Sequence, residues 1–110
     1  MMEQLIDRLY GEGASLVVLH EGQVGEYHQE GMRELKRLAE ESPETLLHAK
    51  IAIRQIDRNE AQICIDNDVS EVFADNISPV AQQMLLQAGI TTTSRKEIDK
   101  VDAVYNGYFI

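Results

Sequence analysis

A run of four apolar residues near the N-terminus, Leu16-Val17-Val18-Leu19, restricts the fold more than any other segment. Such a run, rich in β-branched residues, is typical of a central strand. A strand that is apolar on both faces needs a layer of helices on each side of its sheet. Glu21-Gly22 predicts a turn after this strand, and the polar segment from Val24 to His28 then returns as a strand at the edge of the sheet.

Helical periodicity flanks this predicted hairpin. Apolar residues at helical spacing predict helices over residues 3–10 and 32–41. Ser42-Pro43 combines a capping residue with a proline, which predicts the start of a long helix that carries His48 and Lys50 near its beginning. The far end of that helix, residues 61–66, fits either a helix or a strand because β-branched residues alternate there with other types. We favour the helix.

The second half of the chain alternates strands and helices. Residues 69–74 and 90–93 are rich in β-branched residues and predict strands. Ser78-Pro79 predicts the start of the helix between them, which Gly89 closes. A last short helix is predicted after Ser94, and the apolar C-terminal residues are expected to pack on the domain. This order predicts one α/β domain over residues 1–110, a three-layer α/β/α sandwich around a mixed sheet of four or five strands.

The charge of the chain restricts its partners. Ten lysines and arginines stand against 19 aspartates and glutamates, which gives a net charge of −9. Nucleic acids and anionic membrane surfaces both attract clustered basic residues, so this balance argues against each of them. Charged residues interrupt the longest apolar-rich segment, residues 46–65, and exclude it as a membrane span. Cys64 is the only cysteine, so no disulfide can form within the chain, which is typical of a cytoplasmic protein. We expect its thiol to be inert.

Two segments resemble the zinc-binding segments of cytidine-deaminase-type enzymes. Those enzymes place His-Ala-Glu or Cys-Ala-Glu at one helix start and Pro-Cys-x-x-Cys at the next, and the three ligands hold a catalytic zinc. Here His48 matches the first ligand, but Lys50 replaces the proton-transferring glutamate, and Val80 and Gln83 replace the two thiolates. A single imidazole does not hold zinc. The resemblance therefore implies a deaminase-like fold without a metal, a cofactor or zinc-dependent deaminase activity.

Further segments resemble a bacterial family of unknown function, DUF1893, to which a cytidine-deaminase-like fold without the zinc signature is assigned. The resemblance lies in residues 15–22, 69–78 and 88–90. None of these segments is a catalytic motif, so the resemblance implies a fold rather than a function. The polar C-terminal segment of that family is matched here only by Tyr105-Asn106-Gly107.

The predicted site follows from the fold class, because α/β sheets bind ligands at the carboxyl ends of strands, where helix N-termini converge. The residues that we expect to share this site are His48, Lys50, Asn76 and Ser78, with Tyr105 and Asn106 closing it. Three functions remain open. The first is a non-catalytic or regulatory domain that binds a nucleotide-like small molecule. The second is an enzyme that uses His48 and Lys50, and the third is a homo-oligomeric interaction module, suggested by the apolar tail Tyr108-Phe109-Ile110.

Overall fold

The computed structural model of the protein describes residues 2–95. Its helices are α1 (Met2–Gly11), α2 (Gly31–Glu41), α3 (Arg58–Asp66) and α4 (Pro79–Gln87), and a short 3₁₀ helix spans Pro43–Thr45. Its strands are β1 (Leu16–His20), β2 (Gln23–Tyr27), β3 (Lys50–Ile56), β4 (Glu71–Ile77) and β5 (Thr91–Ser94). The helix predicted after Ser94 and the apolar tail, with Tyr105 and Asn106, lie outside the described residues.

Within residues 2–95 the strands form a five-stranded sheet in the order β2-β1-β3-β4-β5. Strand β1 is antiparallel to both of its neighbours, β2 and β3, whereas β3, β4 and β5 run parallel to one another. The mixed sheet predicted from the sequence is therefore confirmed. The edge position of β2 is confirmed as well, and the apolar run of β1 lies in the interior of the sheet.

Two clusters of buried side chains lie on opposite faces of this sheet. The larger cluster joins the sheet to α2, α3 and α4, and the smaller one joins it to α1 through Leu5 and Leu9. Because successive side chains of a strand point to opposite faces, Val18 belongs to the larger cluster and Val17 to the smaller one. The continuous apolar run of β1 is thus buried on both faces, and the predicted three-layer α/β/α arrangement is confirmed.

Residues 43–57 differ from the sequence prediction, which assigned them to one long helix. Ser42 makes no side-chain capping bond, the proline begins only the short 3₁₀ helix, and residues 50–56 form strand β3. The apolar core of β3, residues 51–53, is buried on both faces, so it lacks the alternation that identifies a half-buried strand. The helix begins instead at Arg58, after the N-cap Asp57. Residues 61–66 are helical, as we favoured.

Candidate functional site

The structure places the predicted site residues at opposite ends of the sheet. His48 precedes β3 and Lys50 begins it, whereas Asn76 and Ser78 lie at the carboxyl end of β4. Gln55, five residues beyond Lys50, is the residue paired with Asn76. At about 3.3 Å per residue, roughly 17 Å of strand separates the two groups. The prediction that His48 and Lys50 begin a helix is wrong, so the reason for placing them beside Ser78 disappears.

His48 and Lys50 have structural partners at the amino end of β3. The backbone N–H of His48 donates to the carbonyl oxygen of Asp68 at 2.7 Å, and both residues adopt left-handed φ angles of 59° and 55°. The Lys50 Nζ atom lies 3.2 Å from a carboxylate oxygen of Glu71 on the neighbouring strand. This ion pair gives the ammonium group of Lys50 a partner within the protein itself. A ligand-binding role for either residue stays a prediction.

Ser78 begins α4 as the sequence predicted. Its Oγ atom accepts a hydrogen bond from the N–H of Ala81 at 3.2 Å, and Pro79 occupies the first helical position. The same hydroxyl donates to Oδ1 of Asp57 at 2.7 Å. Because Asp57 is the N-cap of α3, the starts of two successive helices are joined. The hydrogen bond from Ser78 and the backbone bond from Arg58 lower the pKa of the Asp57 carboxyl group.

A cleft of about 380 Å³ lies beside this junction, at the carboxyl end of β3 and between the N-termini of α2 and α3. Its lining comes from the start of α2, the end of β3 and the start of α3. The lining residues are Glu30, Gly31, Met32, Ile53, Arg54, Gln55, Asp57, Asn59 and Glu60. The cleft occupies the kind of position expected from the fold class, where helix N-termini meet at strand ends. The residues that form it are not those that the sequence pattern selected.

The N-terminus of α2 opens towards this cleft. Glu30 takes the N-cap position but makes no side-chain hydrogen bond to the helix, so it leaves the first-turn N–H groups uncapped. A side chain at the next residue would be crowded, because a Cβ atom on Gly31 would lie 3.1 Å from the carbonyl oxygen of Ser15 and 3.3 Å from Ile53. The absence of a side chain at Gly31 therefore lets the start of α2 pack closely on the sheet while its backbone borders the cleft.

The N-terminus of α3, in contrast, is closed by its own side chains. The Asp57 carboxylate accepts a hydrogen bond from the N–H of Arg58 at 2.8 Å, and Glu60 Oε1 accepts one from the N–H of Asp57 at 2.6 Å. The Asp57 side chain also accepts from the backbone N–H of Glu60, and this bond and the one from Asp57 N–H to Glu60 form a capping box. A phosphate group would compete with these carboxylates for the same N–H groups and would be repelled by their charge. This side of the cleft is therefore unsuited to an anion.

The guanidinium group of Arg54 lies beside α1, on the face of the sheet opposite α2 and α3. It donates to the carbonyl oxygens of Ala14 at 3.2 Å and Leu9 at 2.7 Å. Its carbon atom Cζ also lies 4.9 Å from the centre of the Tyr10 ring. These contacts use the cation to hold the C-terminal end of α1 against the sheet.

The described region contains one further reactive side chain, the buried thiol of Cys64. Burial raises the pKa of the Cys64 thiol to about 12, with a further contribution from the charge of Glu60. The thiol is therefore neutral at physiological pH. Across residues 2–95, no group of three or more His, Cys, Asp or Glu side chains is placed to hold a metal ion. In the same residues, no helix has the length and apolar character needed to cross a bilayer.

Comparison with known proteins identifies the family. A family model described as a domain of unknown function, DUF1893, matches residues 4–102. The chain belongs to the DUF1893 family. A crystal structure of a DUF1893 family protein from Thermotoga maritima is similar with a TM-score of 0.73 and 13% sequence identity, over 84% of this chain and 63% of that one. The DUF1893 chain thus spans less than two thirds of that protein, and the likeness shows a shared fold alone. No curated protein matches the chain.

The cleft residues of this DUF1893 chain were missed at the level of sequence, although one signal for them was present. Asp57 and Glu60 have the spacing of a capping box, which marks a helix start. That signal was overlooked because both residues lay inside the long helix predicted from Ser42. Glu30 and Gly31 carry no comparable signal, since neither residue type points to a ligand by itself. Only the packing of α2 beside α3 brings them to the same cleft.

Proposed function

We propose that this DUF1893 chain is a non-catalytic domain that binds a small nucleotide-like molecule by its nucleoside part, in the cleft between α2 and α3. The observation that carries the proposal is the open N-terminus of α2 facing the acidic and amide side chains of α3. The cleft volume of about 380 Å³ also lies in the range of about 300–1,000 Å³ that is usual for small-molecule sites. A cytoplasmic location, where such molecules are abundant, is part of the proposal.

The charges around the cleft favour a nucleoside over its phosphorylated form. Glu30 and Asp57 bring negative charge to the cleft, while the guanidinium group of Arg54 is bound to the end of α1. Ring amino groups and sugar hydroxyls are hydrogen-bond donors, which carboxylates accept. The uncapped N–H groups at the start of α2 can donate hydrogen bonds to a carbonyl oxygen of the base ring. The amide of Asn59 supplies both a donor and an acceptor.

The hydrogen bonds that the cleft carboxylates already accept favour a binding role over a catalytic one. Asp57 already accepts hydrogen bonds from Ser78 and from the backbone of Arg58, and Glu60 accepts one from the backbone of Asp57. A general base needs a pKa close to the working pH, whereas the pKa of Asp57 is lowered. The alternative enzyme that uses His48 and Lys50 lacks its original support, because those residues do not start a helix.

Thermal unfolding with a panel of nucleosides and their monophosphates tests the proposal. A nucleoside at about 100 times its dissociation constant adds about 2.7 kcal/mol to the free energy of unfolding. For a domain of this size, each kcal/mol raises the melting temperature by roughly 4–8 °C. We expect at least one nucleoside to give such a shift, and its monophosphate to give a smaller one.

Two matched asparagine variants locate the site. Asn59→Ala removes an amide from the cleft and is expected to weaken the nucleoside-induced shift. Asn76→Ala removes an exposed amide at the end of the neighbouring strand and should leave the shift unchanged. Absence of a shift for every nucleoside at millimolar concentration contradicts the proposal, and so does equal weakening by both variants.

A further inference from the structure

Three methionines lie within the described residues 2–95, and they differ in exposure. Met2 and Met84 are partly buried and pack against the two buried clusters of the core. Met32, in the first turn of α2, is 36% exposed. Among these three residues, Met32 is therefore the most accessible to a reagent in solution.

Met32 also lines the cleft between α2 and α3. Apart from Met32 and Ile53, the lining side chains are polar or charged or, at Gly31, absent. Ile53 is only 1% exposed, because it belongs to the larger buried cluster. Met32 is thus the main apolar side chain that a ring in the cleft can contact. The sulfur of a methionine makes favourable contacts with aromatic rings.

We propose that Met32 is an oxidation site through which a peroxide weakens ligand binding in the cleft. This inference rests on the proposed function, since it concerns the same nucleoside site. The thioether sulfur attacks one oxygen of hydrogen peroxide, so that a sulfur–oxygen bond forms, the oxygen–oxygen bond breaks and the second oxygen leaves as water. The sulfur loses two electrons and the peroxide gains them. An external reductant with two thiols reverses the change and yields the thioether, a disulfide and water.

The sulfoxide at Met32 changes the contact with the base. Oxidation converts a flexible apolar side chain into a polar one, whose oxygen accepts hydrogen bonds. The carboxylates of Glu30 and Asp57 in the same cleft are acceptors only, so they cannot satisfy this oxygen. Covering it with a base ring then leaves a buried polar atom without a partner, which is unfavourable. If the oxygen instead accepts from the uncapped N–H groups of α2, it occupies donors that the base would use. Either arrangement weakens binding.

Peroxide treatment of the full chain, followed by mass spectrometry of its tryptic peptides, tests the modification site. Cleavage after Arg33 and Arg58 places Met32 and Met84 in different peptides, and cleavage after Arg8 separates both from Met2. We expect the sulfoxide at Met32 to form before those at Met2 and Met84. Because Met32 is exposed, its oxidation should change the melting temperature of the ligand-free protein by less than about 3 °C.

Thermal unfolding with each of the four ribonucleosides, before and after peroxide treatment, tests the effect on binding. We expect oxidation to raise the dissociation constant of the bound nucleoside by about threefold to tenfold. A methionine sulfoxide reductase with a dithiol should restore it. The Met32→Leu variant has no thioether in the cleft, so peroxide should leave its own nucleoside-induced shift as it was before treatment. Met84→Leu is the matched control, and peroxide should weaken its shift as in the unchanged chain.

Different results would overturn the two parts of this proposal. Earlier oxidation of Met2 or Met84 rules out Met32 as the preferred modification site. A Met32 sulfoxide that leaves the dissociation constant unchanged rules out the effect on binding, and so does equal peroxide sensitivity of the Met32→Leu and Met84→Leu variants. Absence of any nucleoside-induced shift in the untreated protein contradicts the proposed function, and the effect on binding with it. The order of oxidation still decides in that case whether Met32 is the modification site.

Discussion

The hydroxyl group of Ser78 donates a 2.7 Å hydrogen bond to Oδ1 of Asp57, so the N-cap residues of two successive helices are in direct contact. Each residue also caps its own helix, through the N–H groups of Ala81 and Arg58 respectively. The joint lies at the carboxyl ends of β3 and β4, where the two helices leave the sheet. It couples the start of α4 to a wall of the cleft.

Replacing Ser78 by alanine should lower the free energy of unfolding by about 1–2 kcal/mol, since loss of a serine cap commonly costs this much. The variant also leaves Asp57 without its side-chain donor. Urea unfolding followed by circular dichroism measures the change. The exposed amide variant Asn76→Ala serves as the control and is expected to stay within about 0.5 kcal/mol of the unchanged chain. Equal stability of the Ser78→Ala variant and the unchanged chain would show that the joint is not formed.

The lowered pKa of Asp57 predicts a specific pH dependence of stability. The group binds its proton less readily in the folded state than in the unfolded chain, whose aspartate pKa is about 3.8. Its contribution is therefore fully present above that value and is lost as the pH falls through the lower folded value. Because Ser78 is the largest cause of the shift, Ser78→Ala should make acid destabilisation less steep. Urea titrations from neutral to strongly acidic pH test this, and an unchanged slope contradicts it.

A methyl group at Gly31 should destabilise the protein, because the added Cβ atom would lie 3.1 Å from the backbone oxygen of Ser15. Crowding of this kind typically costs about 1–3 kcal/mol. Gly11→Ala is the matched control, since a Cβ atom there meets nothing within 4 Å. The difference between the two melting temperatures reports the crowding at Gly31, because both variants share the other effects of replacing a glycine by alanine. Equal melting temperatures for the two variants would mean that α2 does not pack as closely as described.

The buried thiol of Cys64 should be unreactive in the folded protein. Its pKa of about 12, raised mainly by burial, keeps the thiolate population negligible near neutral pH. A thiol reagent such as dithionitrobenzoate is expected to react completely in concentrated urea and only at the rate of unfolding in buffer. Rapid stoichiometric reaction of the folded chain would contradict the burial of this residue. Ser78→Ala should accelerate the slow reaction, since it lowers the free energy of the unfolding that exposes Cys64.

Several elements of the fold were predictable from local sequence because their signals do not depend on distant residues. The apolar run Leu16–Leu19, the turn at Glu21-Gly22 and the cap at Ser78 were each assigned correctly. The paired clusters around Val17 and Val18 confirm that β1 is buried on both faces. These patterns were sufficient for the three-layer class, because a strand that is apolar on both faces requires helices on both sides.

The identity of β3 and the position of the cleft depended on tertiary structure. A short continuous apolar segment such as residues 51–53 fits a buried helix or a central strand equally well, and pairing with β1 and β4 decides between them. Once β3 is a strand, Lys50 and Asn76 lie at opposite ends of the sheet. The starts of α2 and α3 come together instead. Local sequence thus determined strand β1, the turn after it and the cap at Ser78. Strand pairing determined which helix starts meet, because that depends on contacts between distant parts of the chain.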